Sequence, residues 1–545
     1  MKRMRILLFA LYCDGMWEVH EEIGICYITA YLRERGYEVI LKSIGIDSLN
    51  YSEITELAPD VIGIPVYDAN KMGVYEACIE LRKLLPDTII CIGGSVPTCY
   101  GKDVLVECPE VDIAIKGEGE HTFYEMLLKL ESGDSLDGVK GIIFRKGREI
   151  AENAVRPLIE NMDSLPFPAR DMLEEKNIKV AQISTSRGCT ARCSFCASKL
   201  YWTRWRGRSV ENVVDEIQHI INKHGIRAFN FIDGSFEDPG NDFKRIYSIA
   251  KGILDSGLTI SYYVHMRAEF FKMVSPDLIE TLKKSGLVTA CIGLESANEE
   301  DLRLYNKNAS IDDMEKAIDV LKQYDINLDP GFINFNPYST FDKLKKNIDF
   351  LEKHGFAANP DYIIKSSRIY RGTTLYRKTS SDNLMRNKEI YECGFIFSDP
   401  RIKELYEYTF LYLKGEDPSN VSIFRAICHG SSFNNVGISC MKKLFLNHSL
   451  IEAYEIMREY EIECKNIGSS VNKSNSIWFR NIIKLAEEGW DSRKADEISN
   501  KYLSKEYLKD IARGFQYQNE RLRSRLFKLD LKKEFLDLQK FILQY

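Results

Sequence analysis

Three cysteines at the spacing C-x3-C-x2-C are the residues of this chain whose types and spacing point most directly to chemistry: Cys189, Cys193 and Cys196. They follow a short run of alternating apolar residues, so a predicted strand ends in a loop that brings three thiolates to one point. Cysteine thiolates are the usual ligands of a [4Fe-4S] cluster, and a set of three leaves one iron open to a small molecule. The same residues also permit a zinc site completed by His219 or His224, or three unrelated cysteines.

The cysteine loop carries an aromatic residue, Phe195, between its second and third cysteines. With that residue the loop resembles the signature of the radical S-adenosylmethionine (SAM) superfamily. The resemblance implies that Cys189, Cys193 and Cys196 hold a [4Fe-4S] cluster and that SAM binds the open iron. It further implies that an electron from the cluster cleaves SAM to a 5'-deoxyadenosyl radical, and that a low-potential donor such as flavodoxin or ferredoxin supplies the electron.

Upstream of the loop, residues 1–130 alternate short apolar runs with helical patterns. This alternation predicts an α/β domain with a doubly wound parallel sheet of the flavodoxin or Rossmann type. A helix is expected from Ile23 to Arg35, with Gly36 ending it. The expected strands are Arg5–Phe9, Glu38–Lys42, Val61–Pro65, Thr88–Ile92 and Asp112–Lys116.

Glycine-rich turns follow the predicted strands at the edge where a doubly wound sheet binds its ligand. Glycine lets the backbone approach a bulky ligand closely. The Gly-Gly-x-x-Pro-Thr and Gly-Glu-Gly-Glu turns, with Pro59–Gly63, resemble the cobalamin-binding domain at the N-terminus of one large radical SAM class; an ordinary flavodoxin-like domain is the alternative. The cobalamin-binding residues implied by the resemblance are Tyr67, Asp68, Gly93, Gly94, Ser95, Pro97, Thr98, Gly117, Glu118, Gly119 and Glu120.

One motif of many cobalamin domains is missing from residues 1–130. Those domains carry an Asp-x-His-x-x-Gly motif whose histidine ligates cobalt from below, whereas His20 and His121 lack the neighbouring residues of that motif. The resemblance therefore implies a cobalamin (B12) that binds with its tail displaced and without a histidine as lower ligand.

The domain organisation follows from these stretches. Residues 1–140 form the expected cobalamin-binding domain, and residues 141–178 form a linker, in which closely spaced prolines enforce an extended chain. Residues 179–380 contain six predicted βα units, including a helix opened by Ser209 and ended by Gly225, and a last strand at Tyr362–Ser367. Six units suggest a partial (β/α)6 TIM-type barrel, which is also the core that the radical SAM resemblance implies.

Polar residues are expected at the carboxyl ends of the barrel strands, where barrels of this type place catalytic groups. Glu295-Ser296 resembles the family's Glu-Ser pair near SAM, while Asp233-Gly234-Ser235 stands where many members carry a Gly-Gly-Glu that this sequence lacks. Helix capping is the ordinary alternative role for Asp, Ser and Asn side chains. The SAM-binding residues implied by the resemblance are Phe195, Asp233, Ser235, Glu295, Ser296 and Asn334.

Residues 381–545 are predicted to be mainly α-helical. One apolar stripe at helical spacing contains Phe527, Leu531, Phe535, Leu538 and Ile542. The resemblance fades in this region, and its position after the barrel suggests an accessory domain that covers the active site and selects the substrate.

The composition excludes several other classes of protein. A net charge of -6 in 545 residues gives no electrostatic footprint for nucleic acid. Fourteen cysteines are too sparse for a disulfide scaffold, which favours a reducing, cytoplasmic setting. No window approaches the roughly 18 apolar residues of a membrane span.

Together the motifs predict a cobalamin-dependent radical SAM C-methyltransferase that uses methylcobalamin to methylate an unactivated carbon in natural-product biosynthesis. Its partners would be a small-molecule or peptide substrate and the electron donor. A radical rearrangement, ring contraction or cyclisation without methyl transfer is the alternative, and a cobalamin or cluster sensor without turnover is a third hypothesis.

Overall fold

The computed structural model describes residues 3–12, 21–237, 239, 242–386, 394–415, 417–431, 441–443, 445–446 and 450–529. The chain divides into two compact units. The first consists of Met1–Thr190, Ala197–Ile226 and Ile232–Gly234, and the second of Ala191–Cys196, Arg227–Phe231 and Ser235–Tyr545.

A seven-stranded sheet of order β2-β1-β3-β4-β5-β6-β7 forms the centre of the first unit. Its first five strands are parallel, and their order is that of a doubly wound sheet, so the predicted fold is confirmed. The strands of this unit are β1 Ile6–Tyr12, β2 Val39–Gly45, β3 Val61–Pro65, β4 Ile89–Gly93, β5 Ile113–Ile115, β6 Ile142–Lys146, β7 Glu149–Glu152, β8 Val180–Ile183, β9 Ser186–Arg187 and β10 Arg206–Gly207.

Part of the segment predicted to be a linker extends this sheet. Strand β6 pairs antiparallel with β5, and β7 pairs antiparallel with β6. The apolar residues Ile142, Ile143 and Phe144 are buried, so β6 adds to the core and β7 forms its edge. An extended chain with alternating apolar residues satisfies its backbone by joining a sheet edge as well as by bridging two domains.

Helices cover the first sheet and carry the chain between its strands. Helix α9 begins after Ser209, whose side chain accepts a hydrogen bond from the Asn212 amide, and ends at Gly225 in the left-handed region, as predicted. The helices are α1 Ile23–Glu34, α2 Tyr51–Leu57, α3 Lys71–Leu84, α4 Ser95–Tyr100, α5 Asp103–Glu107, α6 Glu120–Ser132, α7 Asp171–Glu175, α8 Ser198–Tyr201 and α9 Val210–His224, with short 3-10 turns at Ile46–Ser48 and Met162–Ser164.

A buried ionic network holds distant segments of the first unit together. The Arg170 guanidinium lies 2.6 Å from Glu21 and 2.5 Å from Glu216, and it donates to the Gln182 carbonyl at 2.9 Å. Arg208 also pairs with Glu216. All four charged side chains are at most 3% exposed, so removal of one leaves an uncompensated buried charge.

Four parallel strands lie at the centre of the second unit: β11 Ala228–Phe231, β12 Ser261–Met266, β13 Leu287–Glu295 and β14 Asn327–Phe332. The sixth strand, predicted at Tyr362–Ser367, is wrong: residues Asp361–Ile364 form a short helix, and Ser366 makes a single parallel bridge to Phe335. The Asn359 side chain accepts from the Asp361 amide and so favours a turn at that point.

The helices of the second unit become longer toward the C-terminus, where one spans 38 residues. Of the predicted C-terminal apolar stripe, Phe527 is 79% exposed and the other four residues lie outside the described ranges. The helices are α10 Lys244–Asp255, α11 Pro276–Ser285, α12 Glu299–Leu304, α13 Ile311–Gln323, α14 Phe341–Lys353, α15 Asp361–Ile364, α16 Thr374–Ser381, α17 Pro400–Leu413, α18 Pro418–Ser431, α19 Ile451–Glu488, α20 Ser492–Tyr502 and α21 Lys505–Phe527, with 3-10 turns at Ala268–Lys272 and Phe356–Ala358. Among the residues that the structure describes, no helix has the length and apolarity needed to cross a bilayer.

Candidate functional site

The backbone that leads into the cysteine loop is tightly constrained within the first unit. Gly188 has φ +92°, and a Cβ on it would lie 2.5 Å from the Arg204 carbonyl oxygen, so the position requires glycine. The next residue is Cys189, and its carbonyl oxygen accepts a hydrogen bond from the Lys199 ammonium. These contacts fix the path of the chain where the first cysteine stands.

Asp233 stabilises the strand-to-loop segment just upstream of Gly188. Its carboxylate accepts hydrogen bonds from the Thr185 hydroxyl at 2.6 Å, the Ser186 amide at 2.5 Å and the Ser186 hydroxyl at 3.0 Å. Both carboxylate oxygens are therefore engaged by this segment of the chain. The predicted contact of Asp233 with SAM stays a prediction.

In the second unit, Ser194 anchors the part of the loop that holds Cys193 and Cys196. The Ser194 amide donates to the Tyr305 carbonyl at 2.8 Å, and its hydroxyl donates to the Leu304 carbonyl at 2.5 Å. The Phe195 ring packs edge-on against the Tyr305 ring, with centroids 5.4 Å apart. The loop is thus held by the end of helix α12, and Phe195 serves as an apolar anchor in this contact.

Glu295 and Lys307 form an ion pair at 3.3 Å close to Cys193. Glu295 has φ +65°, which an L-residue adopts only where its surroundings enforce it, as at ligand sites. Burial lowers the pKa of Lys307, but the charges of Glu295, Cys193 and Glu269 together outweigh burial, so the net shift is upward and the ammonium is retained. Burial raises the pKa of the Cys193 thiol, and Lys307 opposes part of that effect.

The cysteines fit an iron–sulfur cluster through their chemistry and spacing. Cys189, Cys193 and Cys196 are partly exposed, as ligands to an added cluster must be. No group of three or more His, Cys, Asp or Glu side chains in the described part of the chain has the geometry of a preformed metal site. Of the two histidines considered for a zinc site, His219 packs against Phe167 and His224 lies 3.2 Å from Glu174.

Ser296 and Asn334 lie in one buried hydrogen-bond network. The Ser296 hydroxyl donates to the Asn347 side-chain oxygen at 3.1 Å, and the Asn347 amide donates to the Asn334 oxygen at 3.1 Å. The Asn334 amide in turn donates to the Ile363 carbonyl at 2.7 Å. The sequence analysis did not identify Asn347, because the apolar periodicity of its segment indicates only that the residue lies on a helix, α14.

Ser235 belongs to a second buried polar group. Its hydroxyl donates to Glu237 at 2.7 Å, and Glu237 pairs with Arg267 at 2.8 Å. Burial raises the pKa of Glu237 and outweighs the opposing effect of Arg267. Glu237 stands in the same Asp233–Glu237 turn as the predicted residues, so its carboxylate was the signal that could have identified it; nothing in the sequence pointed to Arg267.

The predicted cobalamin turns meet at the carboxyl edge of the first sheet. The Thr98 hydroxyl donates to the Gly94 carbonyl at 2.8 Å and accepts from the Gly117 amide at 3.0 Å. A Cβ on Gly94, where φ is +93°, would lie 3.0 Å from the Val66 carbonyl oxygen. A Cβ on Gly93 or Gly117 would meet nothing within 4 Å, which leaves an open cradle where a large planar ligand could approach the backbone.

Side chains around this cradle are polar or aromatic. Tyr67 donates its hydroxyl to Glu22 at 2.9 Å, and Asp68 accepts from Tyr100 at 3.2 Å. Pro97 is buried in helix α4. Tyr201, on the short helix that follows the cysteine loop, lies near Ser95, Cys99 and Asp68, and burial is the main cause that raises its pKa.

The Gly-Glu-Gly-Glu turn is bound to arginines rather than left free. Arg187 lies 2.9 Å from Glu118 and 2.6 Å from Glu120, and Arg206 lies 2.9 Å from Glu118. Burial acts to raise the pKa of Glu118, but the hydrogen bond from Arg206 and the charge of Arg187 outweigh it, so the net shift is downward. Gly119 lets the Ile28 side chain pack against the turn, because a Cβ at position 119 would lie 2.6 Å from it. Sequence reasoning found the glutamates and missed their partners.

Two protein-family models match the chain. The model described as the B12 binding domain matches residues 18–127, and the model described as the radical SAM superfamily matches residues 183–352. The matches include the glycine-rich turns and the cysteine loop, respectively, so independent comparisons confirm that the chain contains a B12-binding domain and a radical SAM core.

Curated relatives with different printed activities align with this chain. An uncharacterized methyltransferase of Pyrococcus horikoshii is 28% identical over 67% of this chain and 79% of its own length. An anaerobic magnesium-protoporphyrin IX monomethyl ester cyclase of Cereibacter sphaeroides is 26% identical over 57% of this chain. The chain spans only 52% of the length of that cyclase.

Solved structures share the fold at low sequence identity. The cobalamin-dependent SAM radical enzyme OxsB with aqua-cobalamin bound has a TM-score of 0.70 at 20% identity and covers 100% of this chain and 84% of that chain. The radical SAM methyltransferase TsrM of Kitasatospora setae, with cobalamin and a [4Fe-4S] cluster bound, has a TM-score of 0.59 at 16% identity and covers 70% and 78%. An N-terminal B12-type sheet, a radical SAM core and a helical C-terminal region describe this fold.

Proposed function

We propose that this chain, which belongs to the cobalamin-dependent radical SAM enzymes, is a C-methyltransferase that acts on an unactivated carbon in natural-product biosynthesis. Its cofactors are a [4Fe-4S] cluster, SAM and cobalamin. The substrate would be a small molecule or peptide, and a flavodoxin or ferredoxin would be the reductant. The cytoplasm would be its compartment.

Each group of residues has a definite task in this proposal. When bound, the cofactors would supply a carbon-centred radical and a methyl group. Cys189, Cys193 and Cys196 would hold the cluster, while the Glu295–Lys307 pair would keep the charge beside Cys193 balanced. The open cradle at Gly93 and Gly117 would accept the flat face of cobalamin.

The position of Tyr201 is the structural observation that best supports the proposal. Helix α8 follows the cysteine loop directly, yet Tyr201 lies beside Ser95, Cys99 and Asp68, at the predicted cobalamin turns. Tyr201 therefore joins the region after the cluster ligands to the edge of the sheet where cobalamin is expected. Two reactive cofactors at neighbouring positions are what methyl transfer to a carbon radical requires.

The cyclase relatives favour a second candidate function, a radical cyclisation or rearrangement without methyl transfer. The Cereibacter cyclase aligns over 57% of this chain at 26% identity, and the methyltransferase relative aligns over 67% at 28%. The two candidates share every cofactor and differ only in the fate of the methyl group of SAM.

The fate of that methyl group therefore tests the proposal. Anaerobically reconstituted holoenzyme is given a reductant and SAM labelled on its methyl carbon, and products are quantified by mass spectrometry. We expect S-adenosylhomocysteine to form with transfer of the label to cobalamin. Deoxyadenosine without S-adenosylhomocysteine would instead favour rearrangement.

A matched pair of variants controls this experiment. Gly93→Leu fills the open cradle, so we expect lower cobalamin retention and less S-adenosylhomocysteine. Gly24→Leu places the same side chain at another glycine with nothing within 4 Å of its Cβ and should leave both readouts near wild type. Equal cobalamin retention in the two variants would contradict the assignment of the cradle.

A further inference from the structure

One face of the sheet in the second unit is lined by polar side chains that none of the proposed cofactor roles uses. Strand register places Asn230 beside Tyr263, Tyr263 beside Thr289, and Thr289 beside Asn327. One row further along the strands, His265 pairs with Cys291, and Cys291 pairs with Asp329. We call these seven residues the polar face.

The polar face is unlike the interior of a barrel whose only role is packing. Bulky branched residues normally fill such an interior. Here the residues beyond the His265 row are Gly293 and Gly331, and the Glu295–Lys307 pair occupies the space beside Gly293, since a Cβ there would lie 2.5 Å from a Glu295 oxygen. Tyr263, His265, Cys291 and Asp329 are partly exposed, whereas their strand neighbours Tyr262, Val264, Ala290 and Ile292 are buried. The polar face therefore borders open space.

Asp329 is the acidic group of the polar face. It accepts hydrogen bonds from the Tyr263 hydroxyl at 2.9 Å and, from helix α15, the Tyr362 hydroxyl at 3.2 Å. Burial is the main cause that raises the pKa values of both tyrosines, so they remain neutral donors. A carboxylate has about four acceptor positions, so two tyrosines leave room for further donors.

The titratable neighbours of Asp329 on the polar face are also neutral. Burial lowers the pKa of His265 and outweighs the opposing charge of Asp329, so the imidazole is uncharged near neutral pH. Burial, with the charge of Asp329, raises the pKa of the Cys291 thiol to about 12. The nearby cation Lys365 pairs with Asp361 at 2.9 Å. Within the described residues, no Lys, Arg or His forms an ion pair with Asp329.

Two further polar atoms on this face lack partners. The Asn230 side-chain oxygen and the Thr289 hydroxyl are buried, and neither has a hydrogen-bond partner among the residues that the structure describes. A buried polar atom without a hydrogen-bond partner, or a carboxylate without a counter-ion, carries a free-energy cost that a bound donor or cation reduces. A ligand with a positively charged amino group supplies such donors to Asp329, and the Asn230 and Thr289 atoms, which lie on other strands of the same face, accept from other donors of that ligand.

We propose that the polar face is the substrate-recognition site of this enzyme and that it binds a protonated amino group of the substrate. Asp329 supplies the charge, and the Tyr263 and Tyr362 hydroxyls that bond to it hold its carboxylate in place. Asn230 and Thr289 accept hydrogen bonds from other donors of the substrate. This inference rests on the proposed function, because it takes the second sheet as the place where substrate meets the radical. It narrows the substrate class to amine-bearing molecules.

The test measures binding of n-butylamine to the full-length protein by saturation-transfer NMR, with n-butanol and butyrate as neutral and anionic counterparts. We expect butylamine to bind at least about tenfold more tightly than either counterpart, since a charge-assisted hydrogen bond exceeds a neutral one by about that factor. Asp329→Asn should reduce butylamine binding about tenfold. Asp312→Asn, at an exposed position on helix α13, is the control and should bind butylamine like wild type.

A second variant keeps the test informative if Asp329→Asn folds poorly. Asn230→Asp adds a carboxylate on the same face and should tighten butylamine binding several-fold. Equal binding of the three probes, or unchanged butylamine affinity in both variants, would overturn the proposal. The NMR experiment measures amine binding without cofactor turnover. If butylamine does not bind, the labelled-SAM experiment still tests methyl transfer; if no methyl transfer occurs, the NMR experiment still tests amine binding.

Discussion

At the scale of single residues, Cys193 is the proposed cluster ligand whose surroundings the structure describes most fully. We expect Cys193→Ala to lower iron content and to reduce deoxyadenosine formation by more than about 100-fold. Removing a direct metal ligand lowers activity more than removing a residue that hydrogen-bonds to a ligand, which costs up to about 100-fold. Iron analysis and chromatography of SAM products on the anaerobically reconstituted protein measure both effects.

Cys464→Ala is the control for that variant. Cys464 is a free cysteine buried in helix α19, so its loss should leave iron content and deoxyadenosine unchanged. Full iron content in Cys193→Ala, or equal loss in the two variants, would contradict the assignment of the cluster ligands.

Gly188 gives a second prediction at this scale. Gly188→Ala must adopt φ +92° and place its Cβ 2.5 Å from a backbone oxygen. The left-handed backbone alone costs about 1–2 kcal/mol, and the contact adds to it. Gly225 also has a positive φ, +69°, but a Cβ there would meet nothing within 4 Å, so Gly225→Ala measures the backbone cost alone. Chemical unfolding should show a larger destabilisation for Gly188→Ala, and equal destabilisation would mean that the contact with Arg204 is unimportant.

At the scale of elements, the turn before helix α6 depends on Glu118 for its ion pairs. The pKa of Glu118 is lowered in the folded protein, so its ion pairs stabilise the fold above its unfolded pKa and are lost as pH falls through the folded pKa. Glu118→Gln should therefore be less stable than wild type at pH 7, and the difference should shrink as pH falls from about 5 toward 3.

Thermal unfolding of the apoprotein across this pH range measures the effect without any contribution from bound cofactors. Glu149→Gln, on the exposed edge strand β7, is the matched control and should follow the wild-type profile. A wild-type advantage over Glu118→Gln that stays constant from neutral to acid pH would show that Glu118 is not an ion-pair partner.

At the scale of the whole chain, Arg170 joins segments that lie far apart in sequence. It connects Glu21, strand β8 and helix α9 in one buried network. Arg170→Met leaves the buried Glu21 carboxylate without its ion-pair partner and leaves Glu216 with Arg208 alone, and we expect it to destabilise the protein by about 3–5 kcal/mol. Urea-induced unfolding measures the loss.

Arg5→Met is the counterpart on the surface. Arg5 lies 3.6 Å from Asp60 with side-chain exposures of 45% and 40%, so its loss should cost at most about 1 kcal/mol. Similar unfolding free energies for the two variants would show that the Arg170 network does not stabilise the first unit.

The sequence predicted most of the local structure because the signals involved are local. Strand β3 was predicted to the residue at Val61–Pro65, and Ser209 and Gly225 were identified as the residues that bound helix α9. Alternating apolar residues, N-caps and terminal glycines act within a few positions of the element that they define. The cysteine spacing and the glycine turns identified both cofactor domains for the same reason.

Only the tertiary structure decided which polar groups meet. Nothing local to Glu118 specifies Arg187 or Arg206, which lie 69 and 88 positions away. The polar face arises because three strands place His265, Cys291 and Asp329 in one row. The short helix at Asp361–Ile364 replaces the predicted strand because the Asn359 side chain accepts a hydrogen bond from the Asp361 amide, which favours a turn there. The cysteine loop thus identified the radical chemistry from sequence alone, whereas strand register decides that Asp329 lies on the polar face where we propose that the substrate binds.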